Sequence, residues 1–341
     1  MKHRYILFAM LLVFSSCQKT LLEPVKENTP LNNFEEMWEG YNQWYGGFAV
    51  RNVNWDSLHT VYRSQVHNNM SNAELYAVLC KLITPLNDIH AFLQPTSDGL
   101  PRYESNEFFR THKVQQDFSI DVVKNHYLPS MITVDENLHY GILSGNIGYI
   151  HFGEFGMPVS FYRQKMPTIM NELKNTRAMI VDIRNHAGGD DEVSQYIAGL
   201  FAAERKLFMT VRKRNGGGRN DFTSPENWYV DKQGSYQFTR PLVLLTTRWT
   251  ASAGETFTWA MNTQQHVAQL GDTTAGGFTD VISRELPNGW LYFAGVGDYR
   301  NANGQSEEGK GVAPKIHAVN TPAEIAAGID KVLQKAIDTL H

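Results

Sequence analysis

Apolar positions along this chain change period twice. Between residues 33 and 94 they recur at helical spacing: Phe34, Met37, Trp38, Tyr41, Trp44 and Tyr45 form one stripe, and Trp55, Leu58, Val61 and Tyr62 form a second after Asn54. Leu75, Val78, Leu79, Leu82 and Ile83 form a third, opened by the capping box Ser71-Asn-Ala-Glu74. The period alone accounts for these aromatics, so residues 33–94 are read as a small helical domain with an aromatic core. Residues 95–145 are read as a connecting region, with turn formers at Pro95, Asp98-Gly99 and Pro101 and mixed segments at Phe118–Val123 and Met131–Val134 that suggest strands.

From residue 146 the pattern sharpens. Ile147–Phe152, Ala178–Ile183 and Pro241–Leu245 are short continuous apolar runs that read as buried strands, and helical stripes at Tyr162–Leu173, Val193–Phe201 and after Ala251 alternate with them. Short strands follow at Val267–Leu270, Val281–Leu286 and Trp290–Ala294, the last two joined across Asn288-Gly289. Thr321-Pro-Ala-Glu324 caps a closing amphipathic helix that runs to Leu340. Alternation of this kind predicts an α/β domain over residues 146–341, with any site at the strand ends.

Residues 1–17 stand apart from the fold. Lys2, His3 and Arg4 precede the apolar run Ile6–Phe14, and Ser15-Ser16-Cys17 follows, the pattern of a short secretory signal ending in a bacterial lipobox. Cleavage there leaves Cys17 as a lipidated N-terminus, residues 18–32 as a polar tether, and the protein anchored at the bacterial cell envelope on its periplasmic or outer-membrane side. Only Cys80 then remains, so no internal disulfide is expected. A formal net charge of -4 over 341 residues gives no footprint for nucleic acid, and Arg212–Arg219 reads as a basic loop.

Candidate chemistry sits where strands end. Ser252, between the Pro241–Leu245 strand and the next helix and flanked by Ala251, Ala253 and Gly254, has either of two roles. It is a nucleophile beside the free N–H groups of a helix start, or it is an N-cap with Glu255 at the capping-box position. The turn Arg184-Asn-His-Ala-Gly188-Gly189 also ends a buried strand, and Gly188 with Ala253 would supply the two backbone donors of an oxyanion hole. Asp190-Asp-Glu192 has no neighbouring ligands, reads as acidic residues at a helix start, and implies no metal; no cofactor is expected.

Five ordered blocks resemble the tail-specific or C-terminal processing serine peptidases, in the branch typified by the tricorn core. They are Gly148-Tyr-Ile-His-Phe-Gly-Glu-Phe155, Ile180–Gly189, Thr250–Glu255, Gly271–Gly277 and Gly309–Pro314. The resemblance implies a crotonase-like or ClpP-like α/β catalytic domain behind the helical one. It also implies Ser252 as nucleophile with oxyanion donors at Gly188 and Ala253, and a peptide or unfolded protein as substrate. The lysine that activates the serine in the processing peptidases is replaced by Gly277. The tricorn-like branch instead implies His90, in Leu86-Asn-Asp-Ile-His90, as the base, oriented by Glu308 or the adjoining Glu307. His186 and His151 compete for the base, and Ile89 stands where that branch has a serine. Residues 95–145 lack the carboxylate-binding loop of a PDZ module. A binding lipoprotein for peptides or apolar ligands on the same scaffold is the rival reading, and the oligomeric state is left open.

Overall fold

The computed structural model describes residues 26–340; Cys17, the signal and most of the tether lie outside the described residues. Three helices come first among the described residues: Pro30–Trp44, Trp55–Arg63 and Asn72–Ile83, capped by the side chains of Thr29, Asn54 and Ser71. Each cap accepts from a first-turn N–H that has no intrahelical partner, and Ser71 with Glu74 forms the full reciprocal box.

The strands in chain order are β1 (Phe92–Gln94), β2 (Tyr103–Glu104), β3 (Ile132–Thr133), β4 (Leu138–Leu143), β5 (Ile147–Phe152), β6 (Ala178–Asp182) and β7 (Lys206–Lys213). They continue as β8 (Glu226–Val230), β9 (Leu242–Thr246), β10 (Val267–Gly271), β11 (Val281–Glu285), β12 (Leu291–Gly295), β13 (Gly297–Asn301) and β14 (Ile316–His317). Seven of them form the central sheet in the order β14-β10-β9-β6-β5-β4-β3, parallel from β14 to β5 and antiparallel at β4 and β3. Helices Val159–Leu173, Asp191–Gly199 and Ala253–Asn262 cover one face, burying Met166, Ile197 and Phe257. The C-terminal helix Lys331–Thr339 covers the other through Val332, Leu333 and Ile337.

The helical layer does not close on its own residues. Its core of Phe34, Met37, Tyr41, Trp55, Leu79 and Ile83 also takes in Trp290, Tyr292 and Ala294 from the β11–β12 hairpin, and β1 pairs with β12 in a four-stranded antiparallel sheet ordered β11-β12-β1-β2. Tyr41 seals the contact by donating to the Phe293 carbonyl at 2.6 Å. Segments 200 residues apart therefore share one core, which no local period announces.

Between the two halves the expected strand at Phe118–Val123 is instead a helical turn, Ile120–Val122, capped by Ser119 and continued by a wider turn to Tyr127. Of Met131–Val134 only β3 is a strand, whereas β4 joins the central sheet although His139 and Gly141 break up its apolar pattern. The closing helix is two helices, Pro322–Ala326 and Lys331–Thr339, parted at Gly328, whose φ of +76° ends the first and whose missing Cβ leaves room for the His126 ring. Part of the expected basic loop is the end of β7. Its Arg212 and Lys213 pair with Asp298 and Asp280, and Arg219 with Asp56.

Candidate active site

Ser252 and the glycine turn are brought together by strand order. β6 and β9 are adjacent and parallel, with Asp182 opposite Leu245, so the turn after β6 and the serine turn after β9 emerge side by side. The Ala251 N–H donates to the His186 carbonyl at 2.9 Å and ties the two turns together. Ser252 has φ 53° and ψ −121°, a conformation costly for a residue with a Cβ, and its side chain makes no capping bond. The capping-box reading is therefore excluded: Glu255, fully buried, accepts instead from Thr274 Oγ1 at 2.5 Å and from the N–H groups of Gly276 and Gly277 at 2.7 Å each. Burial pushes the Glu255 carboxyl up to about 8 against the pull of those three donors.

Only glycine fits across from the serine. Gly188 has φ +118°, and a Cβ there would lie 2.8 Å from Ser252 Cβ and 3.3 Å from its Oγ. Gly189, at φ +128°, lies so close to Phe155 that a Cβ would meet its carbonyl oxygen at 2.2 Å. The Gly188 N–H donates at 3.2 Å to His186 Nδ1, whereas Ala253 opens the serine helix, where N–H groups have no intrahelical acceptor. Beneath the turn Arg184 is fully buried between Asp182 and Asp330, bonding them at 2.7 and 2.8 Å, and fixes the strand end to the C-terminal helix.

The histidine side is assembled differently. His90 is buried, its backbone N–H donates to Asp88 Oδ1 at 2.7 Å, and its ring Nδ1 has no protein partner. Gly277 separates it from the serine. The Ser252 N–H donates to the Gly277 carbonyl at 3.0 Å, and a Cβ on Gly277 would come 3.6 Å from His90 Cε1 while overlapping Ile89 at 2.3 Å. The space beside Gly277, where the resemblance puts a lysine, is thus occupied by Ile89, with the His90 ring next to it. Burial lowers the imidazole pKa below its ordinary value and the Asp88 charge partly restores it.

Asp88 is held by Tyr45 OH at 2.7 Å and faces Arg51 Nε at 3.4 Å; its carboxyl is depressed, with burial opposed by the Arg51 and His90 charges. Arg51 Nη2 reaches Glu308 Oε1 at 2.5 Å and the Gly276 carbonyl at 3.1 Å, while its Nη1 donates to the Asn87 carbonyl at 2.6 Å. Glu308 is thus brought to the site, yet its oxygens are engaged by Arg51 and by the Phe278 N–H at 3.0 Å. Asp88 accepts the backbone N–H of His90, and neither carboxylate bonds its ring Nδ1. Glu307 bonds the Trp259 indole instead. Burial and the neighbouring Asp88 charge raise the Glu308 carboxyl to about 7. Arg51 and Tyr45 were not foreseen: Tyr45 reads as core, and a lone arginine in a loop carries no signal of spacing.

The rival histidines are enclosed. His186 is packed edge-on against Phe155 at 4.3 Å, and His151 bonds Asn185 at 2.7 Å; burial lowers them to about 3 and about 4. Among the described residues no acidic, histidine or cysteine group is arranged to hold a metal, and no helix is long and apolar enough to cross a membrane. A cavity of about 640 Å³ between residues 46–54 and strands β7 and β13 touches neither Ser252 nor His90, whereas a cleft of about 330 Å³ is lined by His90, Ala187 and Ala251.

A strained serine at a helix start, a double-glycine turn on the neighbouring parallel strand and a buried histidine beside Gly277 form an arrangement of the kind used by serine peptidases of α/β architecture. Residues 146–318, just over half of the chain, match peptidase family S41, and residues 27–84 match the tricorn protease C1 domain. The chain belongs to peptidase family S41. It is 26% identical over 185 residues to the carboxy-terminal processing protease CtpA of Bacillus subtilis, which covers 54% of this chain and 37% of that one. It is 27% identical over 200 residues to a carboxyl-terminal-processing protease of Synechocystis, covering 57% and 44%. The chain thus spans less than half the length of these curated relatives. A solved structure from Parabacteroides merdae, named provisionally as a peptidase, superposes with a TM-score of 0.79 at 27% identity over 92% of this chain and 97% of that one. Mature CPAF shares the fold at a TM-score of 0.67 and 10% identity, covering 91% and 96%. The tricorn protease shares it at 0.55 and 16%, covering 92% of this chain and 36% of that one.

Proposed function

We propose that this protein is a serine peptidase of the cell envelope, anchored by lipid on Cys17, that cleaves peptides or unfolded proteins through an acyl-enzyme on Ser252. The observation that carries the reading is the strained backbone of Ser252, held beside Gly188 and bonded through its N–H to Gly277, which lies next to the His90 ring. Neutral His90 takes the Ser252 proton as Oγ attacks the scissile carbonyl, and the imidazolium then gives that proton to the leaving amine. The Ala253 N–H faces the developing oxyanion, and the Gly188 N–H joins it by giving up its long bond to His186. Asp88, kept ionised by Arg51 and Tyr45, stabilises the imidazolium, and Glu308 neutralises the other end of Arg51.

The same Gly188–His186 bond favours the second reading, a binding lipoprotein, because it leaves one oxyanion donor turned inward. A fluorophosphonate probe on protein lacking residues 1–17 decides between them: an adduct on Ser252 alone supports the peptidase, and none, with reactive controls, supports the binding module. The anchor rests on the Ser15-Ser16-Cys17 pattern. Cys17→Ser should release the protein from the membrane fraction or leave it unprocessed, since stable attachment needs more than one lipid chain; normal cleavage with retained membrane association would remove the anchor from the proposal.

A further inference from the structure

The cleft beside Ser252 has a chemical character of its own. Its volume is about 330 Å³, at the low end of ligand pockets, which leaves room for a large side chain. It touches all three parts of the site: His90, Ala187 next to Gly188, and Ala251 next to Ser252. An acyl group held on Ser252 therefore has this space within reach of its side chain. The walls are aromatic. Phe92 is stacked on Phe293 at 4.1 Å, and Phe109 stands edge-on to Trp249 at 5.3 Å, with Phe108 against the same indole at 5.5 Å. Ile89 closes one side, and the floor near the serine is Ala187 and Ala251 with Asn185, whose Oδ1 is engaged by His151 Nε2 at 2.7 Å.

Charge is confined to a pair. Arg102 lies 3.6 Å over the Phe92 ring and is bonded to Glu104 at 2.6 Å, so each lining charge already has its opposite. A charged side chain entering here would lose water without gaining a partner, whereas an apolar one exchanges water for aromatic contact. The wall is also pre-formed. The short helix Glu107–Thr111 that carries Phe109 is fixed to the His90 loop by Asn87 Oδ1, which accepts the Glu107 N–H at 2.9 Å, and Arg110 bonds the Ser105 carbonyl at 3.0 Å.

We infer that the cleft between Phe92, Phe109 and Trp249 is the primary specificity pocket and selects a large apolar side chain, aromatic or leucine-like, at the residue whose carbonyl is attacked. This rests on the peptidase reading for the reaction, but the preference for the side chain is a property of the cleft alone. These residues lie outside the five blocks of resemblance and come from three separate segments, so only the folded chain brings them together.

The test is a peptide series identical except at that residue, carrying phenylalanine, leucine, alanine, aspartate or lysine. Hydrolysis is followed by mass spectrometry, and binding to Ser252→Ala by calorimetry. Phenylalanine and leucine should exceed alanine at least about tenfold in kcat/KM, since a single methylene in an apolar pocket is worth about 10–200-fold, and the charged residues should fall lower still. Trp249→Ala should collapse the phenylalanine-to-alanine ratio. Phe109→Asp should turn the preference toward lysine, which a merely destabilised protein would not do. Cleavage through Ser252 that is indifferent to the residue, or that favours a charge, overturns the pocket and leaves the peptidase standing. Absence of cleavage together with apolar-selective binding by Ser252→Ala, lost on adding Trp249→Ala, keeps the pocket and removes the peptidase. Neither cleavage nor selective binding removes both.

Discussion

The serine side of the cleft and the histidine side differ in how many pieces of chain each requires. Ser252, Ala253 and the Gly188-Gly189 turn follow directly from β9 and β6, two neighbouring parallel strands, and the serine turn is locked by Glu255 three residues away. His90 depends on Asp88, Tyr45, Arg51, Gly277 and Glu308, drawn from the helical layer, its loops and the far end of the α/β domain. One side is a consequence of strand order. The other exists only because the β11–β12 hairpin packs into the helical core and carries the Gly277 and Glu308 loops against Arg51.

The largest effects should come from the two reacting groups. Ser252→Ala and His90→Ala are each expected to lower kcat by about 10³-fold or more, and the double variant little further, because the two act as one unit. Single-turnover assays on a peptide library check this; near-normal turnover in His90→Ala would leave the histidine side without its base.

Gly277→Lys tests whether the two sides share one space. Its Cβ would overlap Ile89, so the variant should lose activity about 10²-fold or more instead of acquiring a lysine base. A gain, or a pH profile typical of a lysine, would show the His90 loop to be replaceable.

Within the histidine side, Asp88→Asn should cost more than Glu308→Gln, roughly 10²-fold against about tenfold, since the Asp88 charge acts directly on the imidazole while Glu308 acts through Arg51. The opposite order in kcat would restore Glu308 as the group that orients the base. The pH profile sharpens this. Neutral imidazole is the active form, and burial disfavours its charged form, so kcat/KM should rise with pH through a midpoint below the ordinary histidine value of about 6.5 and then level off. Asp88→Asn removes the charge that raises the His90 pKa, so its midpoint should move lower still while the plateau drops.

The smallest effect concerns stability on the serine side. His151 and His186 stay neutral in the folded protein down to about 4 and about 3, while in the unfolded chain they take up protons near 6.5. As pH falls below 6.5 the unfolded state binds more protons, so their contribution is complete above 6.5 and declines as pH drops toward 4. By pH 5.5 each should remove about 1 kcal/mol. Urea midpoints at pH 7.5 and 5.5 measure the loss, and His186→Phe, which keeps the packing on Phe155, should reduce it.

Legibility followed the same division. Ser252, the double glycine and the strand-helix alternation around them could be read because a buried strand, a tight turn and a helix start each restrict residue type within a few positions. His90 was marked by its Asp-x-His setting and by Gly277, but its support was not: Glu308 comes to the site attached to Arg51, and Tyr45 and Arg51 hold Asp88. β4 was missed because His139 and Gly141 interrupt its apolar run, and the closing helix was read as one because Gly328 has no side chain to break the stripe.

The sequence by itself determined the elements on either side of the serine, the capping box of the third helix and the family to which the chain belongs, since these rest on contacts within a few residues or on motifs that survive as strings. Tertiary structure decided which tyrosine holds Asp88, which arginine joins the two carboxylates and which aromatics wall the cleft. Those contacts join residues up to 257 positions apart, as between Arg51 and Glu308, and burial fixes charge and partner only once both ends have left water.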